Sequence, residues 1–193
     1  MAFVAFVDTC VLFPANLRGV IRTIAEVGIC PIRWSPDVLD EWKQTDIKKS
    51  PVDVFKAKVG ASYLLGIMKD AFPDAMVERR YDAPMISAMP NAEKDRHPVL
   101  AAAMAGGADV WVTAHRNDCR VPAGFCDTDV QHPDEFLRYP LELAPQEFFH
   151  ARKDLSSHRH PPMNSVLGIL NAVQKTVPQF ASPAQTLWPD YLS

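Results

Sequence analysis

The chain contains 193 residues, 48% of them hydrophobic and 22% charged, and its formal net charge is −3. This composition is typical of a folded globular protein and argues against intrinsic disorder, while the small net charge gives no general attraction for a polyanion. Because no stretch approaches the ~18 apolar residues of a membrane span, and because the N-terminus lacks a secretory-signal pattern, we expect a cytoplasmic protein without membrane contact.

Strand-like and helix-like patterns alternate in the first part of the chain. Residues 2–7 form a short apolar run rich in Phe and Val, which predicts a strand buried on both faces. Apolar positions in residues 17–27 repeat with helical spacing, and Gly28 is a typical stop residue. After a second short apolar piece, Ser35 and Pro36 predict the start of another helix.

The alternation continues in the rest of the chain. Residues 50–53 (SPVD) predict the start of a helix of about six turns that ends before Pro73. Residues 99–107 (VLAAAMAGG) indicate a helix of small residues, and residues 108–113 (ADVWVT) indicate a strand. Residues 130–139 (VQHPDEFLRY) lead from a strand into a helix.

Strands that alternate with helices across short links predict an α/β fold. The expected architecture is a three-layer α/β/α sandwich with a mainly parallel central sheet. We expect this domain to occupy residues 1–140 and a C-terminal helical extension to occupy residues 141–193.

Four acidic residues are candidates for one site at an edge of this sheet. Asp8 follows the first strand, and Asp118 lies five residues beyond Thr113, at the end of another strand. Asp95 precedes the helix that leads into that strand, and Glu41 flanks the apolar stripe of an earlier helix. Open parallel sheets bind ligands outside the carboxyl ends of their strands. Carboxylates gathered there would repel one another unless a cation neutralised them, and oxygen ligands favour magnesium or manganese over zinc.

Each acid also has a structural interpretation. An acid at a strand end is often a turn or cap residue, Asp95 could cap its helix, and Glu41 could be a solvated surface residue. Taken together, the four positions favour a shared metal site over four unrelated structural roles.

Several segments of the chain are similar in sequence and order to one known family. They are FVDTCVLFPANLRGVIRTIAEVG, RWSPDVLDEW, DRHPVLAAAMAGGADVWVTAHRND and VQHPDEFL. Together they resemble the PIN-domain family, in particular the ribonuclease toxins of VapBC toxin–antitoxin modules. The resemblance covers roughly residues 3–140.

This resemblance implies a Rossmann-like α/β/α sandwich whose acidic pocket binds Mg²⁺ or Mn²⁺. The matching catalytic and metal-binding positions are Asp8, Glu41, Asp95 and Asp118. The implied activity is endonucleolytic cleavage of RNA, usually tRNA. The implied partners are a small antitoxin protein, whose peptide covers the pocket, and a second copy in a homodimer. Residues 141–193 resemble the extra helical segment of a subgroup of these toxins.

Residues around the last strand end are candidates for supporting roles. Thr113 could hydrogen-bond a carboxylate or a water near the metal. The chain has His115 and Cys119 where the family usually has asparagine and phenylalanine. His115 could contact phosphate or assist proton transfer, Arg116 adjoins the expected pocket and could contact RNA, and Asn117 is a substitute ligand by position.

The chain departs from the family pattern at Pro98, which directly follows His97. A proline belongs in the first turn of a helix, so the helix could begin later, and it stays open whether Asp95 would then be displaced from the pocket. Further basic candidates for RNA contact include Lys48, Lys49 and a C-terminal cluster that begins at Arg152.

Other classes of protein fit less well. A non-catalytic RNA- or protein-binding module on the same fold, with a degraded metal site, is the main alternative. A phosphatase that forms an aspartyl phosphate needs a second aspartate two residues after the first, where this chain has Cys10. The AGGAD segment lacks the lysine and hydroxyl residue of a P-loop, so we expect no nucleotide cofactor.

Overall fold

The computed structural model describes residues 3–78, 97–116, 126–157, 160 and 163–191. Within them, four short strands form one parallel sheet in the spatial order β2-β1-β3-β4. The strands are β1 (Ala5–Val7), β2 (Ile32–Arg33), β3 (Val110–Val112) and β4 (Asp129–Gln131). Ala5 is aligned with Ile32 on one side and with Val110 on the other, and Val110 is aligned with Asp129.

The helices belong to two compact units. The first unit (residues 1–13 and 31–131) contains the sheet, α1 (Thr9–Leu12), α3 (Pro36–Lys49), α4 (Val54–Ala71), a 3₁₀ turn (Pro73–Ala75) and α5 (His97–Ala105). The second unit (residues 14–30 and 132–193) contains α2 (Ala15–Glu26), α6 (Pro133–Phe136), α7 (Arg138–Leu143), α8 (Pro145–Ser157), α9 (Val166–Val173), α10 (Pro178–Leu187) and a 3₁₀ turn (Pro189–Tyr191).

The predicted fold class is confirmed. The described chain is a mixed α/β fold with a parallel sheet and C-terminal helices, consistent with a three-layer α/β/α architecture. Every residue of β1 and β3 is buried, so both faces of these central strands are covered, as expected for a parallel sheet. The expected boundary between the α/β domain and the C-terminal extension, between residues 140 and 141, stays a prediction.

The helix signals in the sequence correspond to observed helix ends. Ser35 accepts a hydrogen bond from the backbone N–H of Val38 and caps α3, with Pro36 as the first helical residue. Gly28, just beyond α2, has φ of +72°, a conformation that favours glycine. Ser50, in contrast, ends α3 and does not start the next helix, because Asp53 caps α4 through the N–H groups of its first turn.

Pro98 lies in the first turn of α5, the position in which a proline removes no helical hydrogen bond. Asp95 falls outside the described residues, so its predicted place in the pocket stays a prediction. Trp42 and Trp111 are buried, as expected of core positions. Among the described helices, none has both the length and the apolar character that crossing a membrane would require.

Arg152 has a different role from the expected one. Only 2% of the residue is exposed, which leaves it unable to contact an RNA backbone. Its guanidinium donates hydrogen bonds to the carbonyl of Gly19 (2.8 Å) and to the hydroxyl of Thr23 (2.9 Å). Arg152 therefore connects α8 to α2, and within this unit α2 packs against α8 and α9.

Asp134 connects α6 to α10 in the second unit. Its two carboxylate oxygens accept hydrogen bonds from the backbone N–H groups of Gln179 (3.0 Å) and Phe180 (2.8 Å). These groups belong to the first turn of α10, where N–H groups have no partner within the helix. Because Asp134 is buried, it satisfies donors that water reaches poorly.

The substitution Asp134→Ala should lower the free energy of unfolding by about 2 kcal/mol, because it leaves two N–H groups without their acceptor. Urea denaturation followed by circular dichroism measures this change. Asp190→Ala, at an exposed aspartate of the same unit, is the control and should change stability by about 0.5 kcal/mol or less. Equal stability of both variants would show that the Asp134 contacts do not stabilise the fold.

Candidate active site

Asp8 is the first residue after β1, and none of its surface is exposed to solvent. Its backbone N–H donates to the carbonyl of Val112 in β3 (3.1 Å), which fixes the backbone at the strand end. One carboxylate oxygen accepts from the backbone N–H of Thr9 (2.7 Å), so Asp8 caps α1. Asp8 is therefore a helix cap, as its structural interpretation states. Its other carboxylate oxygen has a different partner.

That second oxygen is held by the neighbouring strand. Thr113, the residue after β3, is fully buried, and its hydroxyl donates to Asp8 Oδ2 at 2.7 Å. The same hydroxyl accepts from the backbone N–H of His115 (3.2 Å). Thr113 thus joins the ends of two parallel strands and orients the carboxylate between them, as expected of a residue that supports a ligand.

Glu41 reaches this strand edge through Thr9. The Thr9 hydroxyl lies 2.8 Å from Glu41 Oε2 and 3.1 Å from the carbonyl of Val38, so it contacts two groups of α3. Glu41 itself is solvent-exposed, whereas Thr9 is buried. Glu41 is therefore an exposed acid of α3 that is hydrogen-bonded to Thr9, the residue after Asp8, and its role as a ligand stays a prediction.

Cys10 lies beside the hydrogen-bonded pair of Asp8 and Thr113. Its Sγ lies 3.6 Å from Asp8 Oδ2 and 3.5 Å from Thr113 Oγ1, and it accepts from the backbone N–H of Ala114 at 3.2 Å. Burial, followed by the nearby charge of Asp8, raises the pKa of the Cys10 thiol from 9.0 to about 11. The thiol therefore stays protonated at neutral pH and is a poor nucleophile there.

A cleft of about 260 Å³ opens beside these residues. Thr9, Cys10, Phe13, Glu41, Thr45, Lys49 and His115 line it. The Lys49 ammonium lies 4.6 Å from the centre of the Phe13 ring, a cation–π distance that holds this charge over the cleft wall. The cleft thus combines an exposed carboxylate, a lysine and a histidine.

The structure brings together some of the predicted site residues. Asp8, Thr113 and His115 are linked directly by hydrogen bonds, and Glu41 joins the group through Thr9. Arg116 is exposed and follows His115 in the chain. Asp95, Asn117 and Asp118 lie outside the described residues, so their expected places in the site stay predictions.

The carboxylate oxygens of Asp8 and Glu41 are of the kind that a hard cation prefers. Within the described residues, they are too few to form a metal site. Asp8 and Glu41 supply carboxylate oxygens, the ligands that Mg²⁺ and Mn²⁺ prefer. Within the described ranges, no three His, Cys, Asp or Glu residues come together as a metal-binding group. The two other predicted ligands, Asp95 and Asp118, lie outside these ranges.

Thr9, which links two acids, was not predicted as a site residue, and Lys49 was predicted only as a general basic candidate. A periodic signal existed for Lys49, because Glu41, Thr45 and Lys49 are spaced by four residues on α3 and therefore share one face. No comparable signal marks Thr9, whose bond to Glu41 depends on how α3 packs.

Comparisons with known proteins do not assign this chain to a family: no protein-family model, no curated protein and no solved structure matches it. The similarity to PIN domains therefore depends on the motifs alone and stays a prediction.

The substitution Thr113→Val should lower the free energy of unfolding by about 1–3 kcal/mol, because a buried carboxylate loses a hydroxyl donor while the side-chain shape is kept. Thr113→Ser keeps the donor and should cost less. Thr45→Val, in the same cleft, is the control and should lie within about 0.5 kcal/mol of the wild type in urea denaturation. If Thr113→Val were as stable as Thr113→Ser, the hydroxyl would not hold Asp8.

The Cys10 thiol should react slowly with an alkylating reagent. With its pKa raised from 9.0 to about 11, the folded chain holds about 100-fold less Cys10 thiolate at pH 8 than the urea-unfolded chain. Mass spectrometry of the Cys10 peptide across a pH series measures this difference. Because the unfolded thiol ionises first, the contribution of Cys10 to stability is present below pH 9 and is lost as the pH rises through about 11.

The variant Asp8→Asn separates the two causes of this shift. Removing the charge of Asp8 should raise the alkylation rate of Cys10, but not to the rate of the unfolded chain. Burial is the larger cause of the raised pKa, and it remains in this variant. A wild-type rate equal to that of the unfolded chain would contradict the raised pKa.

Proposed function

We propose that this chain is a metal-dependent endoribonuclease that acts as the toxin of a two-protein toxin–antitoxin module. The observation that carries the proposal is the buried pair of Asp8 and Thr113 at the carboxyl ends of two adjacent parallel strands, with Glu41 beside it. The motif resemblance to PIN-domain ribonucleases supplies the reaction class.

The sheet order supports a ligand site at this place. From β1 the chain continues to β2 on one side and later returns to β3 on the other side of β1. The direction of the sheet order therefore reverses between β1 and β3. In open parallel sheets, ligands bind outside the carboxyl ends of the strands at such a reversal. Asp8 and Thr113 are the residues that follow β1 and β3.

In the proposed site, Asp8, Glu41, Asp95 and Asp118 would hold Mg²⁺ or Mn²⁺, directly or through water. The bound cation would lower the pKa of the attacking water and neutralise charge on the phosphate. Thr113 keeps the Asp8 carboxylate in one orientation, and Thr9 does the same for Glu41. Both contacts reduce the motion of acids that would otherwise adopt several rotamers.

Basic residues around the cleft suit an RNA backbone. Lys49 and His115 line the cleft, and Arg116 is exposed next to His115. Each contact between a cation and a phosphate adds affinity that depends on salt, without adding base specificity. A local patch of this kind allows RNA binding by a chain whose net charge is −3.

A non-catalytic binding module is the second candidate, and the burial of Asp8 favours it. Both carboxylate oxygens of Asp8 accept hydrogen bonds, and the residue has no exposed surface. A carboxylate that serves only as an internal cap would show these same contacts. In that case the cleft would bind RNA or protein without cleaving it.

The purified 193-residue chain should cut tRNA into discrete fragments in the presence of Mg²⁺ or Mn²⁺. Asp8→Asn and Glu41→Gln should each lower the cleavage rate by about 100-fold or more, because each removes a charged ligand from the metal. EDTA should abolish cleavage. Fragments are quantified by gel electrophoresis and mapped by sequencing their ends.

Matched variants on exposed surfaces give the controls. Glu147→Gln should cut RNA at the wild-type rate, and Lys175→Ala should keep the wild-type salt dependence. Lys49→Ala should weaken RNA binding and lower the slope of log affinity against log salt by about 1. A folded protein that binds RNA without cutting it in either metal would establish the binding module. Cleavage that persists in Asp8→Asn and in EDTA would overturn the metal site.

The toxin role predicts specific partners. A small antitoxin would cover the cleft with a peptide, and an arginine or lysine from it would pair with the carboxylates. Production of the wild-type chain in cells should stop growth, whereas Asp8→Asn should not. Unchanged growth with an enzyme that cleaves RNA in vitro would leave a nuclease that is not a toxin.

A further inference from the structure

The cleft beside Asp8 has an aromatic residue, Phe13, in its wall. Phe13 ends α1, and its backbone N–H donates to the carbonyl of Thr9 at 2.8 Å. Asp8 caps the other end of the same helix. One helical turn therefore fixes the position of Phe13 relative to the candidate metal ligand. Because Phe13 is half-buried and lines the cleft, a ligand bound there meets an aromatic residue.

Lys49 occupies one face of the Phe13 ring. Its ammonium lies 4.6 Å from the ring centre, and the residue is exposed at the end of α3. A cation–π contact at an exposed site is weak, and a lysine ammonium is a charge on a flexible stem. A phosphate forms a stronger, charge-assisted hydrogen bond with the same ammonium. A phosphate that enters the cleft would therefore move Lys49 off the ring and leave an aromatic face for another group.

The size and the lining of the cleft suit one nucleotide. Its volume is about 260 Å³, slightly below the roughly 300–1,000 Å³ of pockets that hold drug-sized ligands. Thr9, Thr45 and His115 also line the cleft and supply hydroxyl and imidazole groups. A nucleobase matches this combination, because it has a flat face that stacks on an aromatic ring and a polar edge that forms hydrogen bonds.

The charge of Lys49 favours a nucleotide over a peptide in this cleft. An arginine or lysine of a peptide would compete with Lys49 for the Phe13 ring and would be repelled by it. A base and its phosphate use both groups together, since the base stacks on the ring and the phosphate pairs with the ammonium. In a duplex the faces of the internal bases are already stacked, so only an unpaired nucleotide can bind in this way.

We propose that Phe13 is a base-stacking residue of the cleft. One unpaired nucleobase of the RNA substrate stacks on its ring, and Lys49 moves from the ring to the adjacent phosphate. This role rests on the proposed ribonuclease function and defines the form of RNA that the site accepts. Phe13 selects unpaired nucleotides without selecting among the four bases, because every base has a face that stacks.

Two oligomers with the same number of phosphates test the base contact. One is a short, fluorescently labelled oligouridylate, and the other is an abasic ribose-phosphate chain of equal length. In fluorescence anisotropy with Ca²⁺, the wild-type chain should bind the oligouridylate about 10-fold more tightly. Phe13→Leu should weaken oligouridylate binding about 10-fold and leave abasic binding within about 2-fold, because only the base contact is lost. Phe13→Tyr keeps an aromatic ring and should bind both oligomers as the wild type does.

Phe55→Leu makes the same change at an exposed phenylalanine of α4 and should leave both affinities unchanged. Circular dichroism confirms that each variant is folded, and gel electrophoresis confirms that the oligomers are intact. Equal weakening of both oligomers by Phe13→Leu, or no weakening of either, would overturn the stacking role. An arginine-rich peptide whose binding depends on Phe13, while oligouridylate binding does not, would also overturn it and would show a peptide site.

Lys49→Ala tests the second part of the proposal. Both oligomers carry phosphates, so this variant should weaken the binding of both by a similar factor, about 3- to 10-fold at low salt. Lys58→Ala, at an exposed lysine of α4, is the control and should weaken neither. In NMR spectra, the ring should shift the Hε protons of Lys49 upfield in the free chain, and oligouridylate binding should remove this shift. A shift that persists in the saturated complex would show that Lys49 stays on the ring.

These binding measurements require no cleavage, so the two proposals can fail separately. A chain that shows the base-dependent effect of Phe13 but cuts no RNA would keep the stacking residue and lose the proposed nuclease activity. A chain that cuts RNA with an affinity independent of Phe13 would keep the nuclease and lose the stacking residue.

Discussion

The hydrogen bond between Thr113 and Asp8 is the contact on which the candidate site depends. It joins the residues that follow β1 and β3, two strands of only three residues each, and it orients a carboxylate that has no contact with solvent. Without this donor, the buried carboxylate would keep the N–H of Thr9 on one oxygen but would lose the hydroxyl that compensates the desolvation of the other. The position of Glu41 depends on the same edge of the sheet, because Glu41 is hydrogen-bonded to Thr9, the residue directly after Asp8.

Local chemistry made much of the fold predictable. The cap at Ser35, the stop at Gly28 and the apolar runs of β1 and β3 each depend on neighbouring residues, and their prediction was correct. Glu41 was placed beside the sheet from its position on a helical wheel. Asp8 and Thr113 converge because parallel strands end at a common edge, which a sequence of alternating strands and helices already implies.

Contacts between residues distant in the chain were not predictable in this way. Arg152 resembles a surface cation in the sequence, yet its partners, Gly19 and Thr23, lie 133 and 129 residues earlier. Lys49 shares a face with Glu41, but its position over Phe13 depends on the packing of α3 beside α1. Phe55 and Tyr63 of α4 are exposed although they are large and apolar, because periodicity identifies apolar faces without showing which of them is covered.

The bond between Arg152 and α2 also has a consequence for how the chain is made. Helix α2 leaves the ribosome long before α8 and α9, the helices against which it packs. At about 5–20 residues per second, the 133 residues between Gly19 and Arg152 take roughly 7–27 seconds to synthesise. During this time the apolar side of α2, formed by Leu17, Val20, Ile21 and Ile24, lacks its final partners. The second unit can therefore reach its final packing only after α8 and α9 have been synthesised, and until then α2 lacks these two partners.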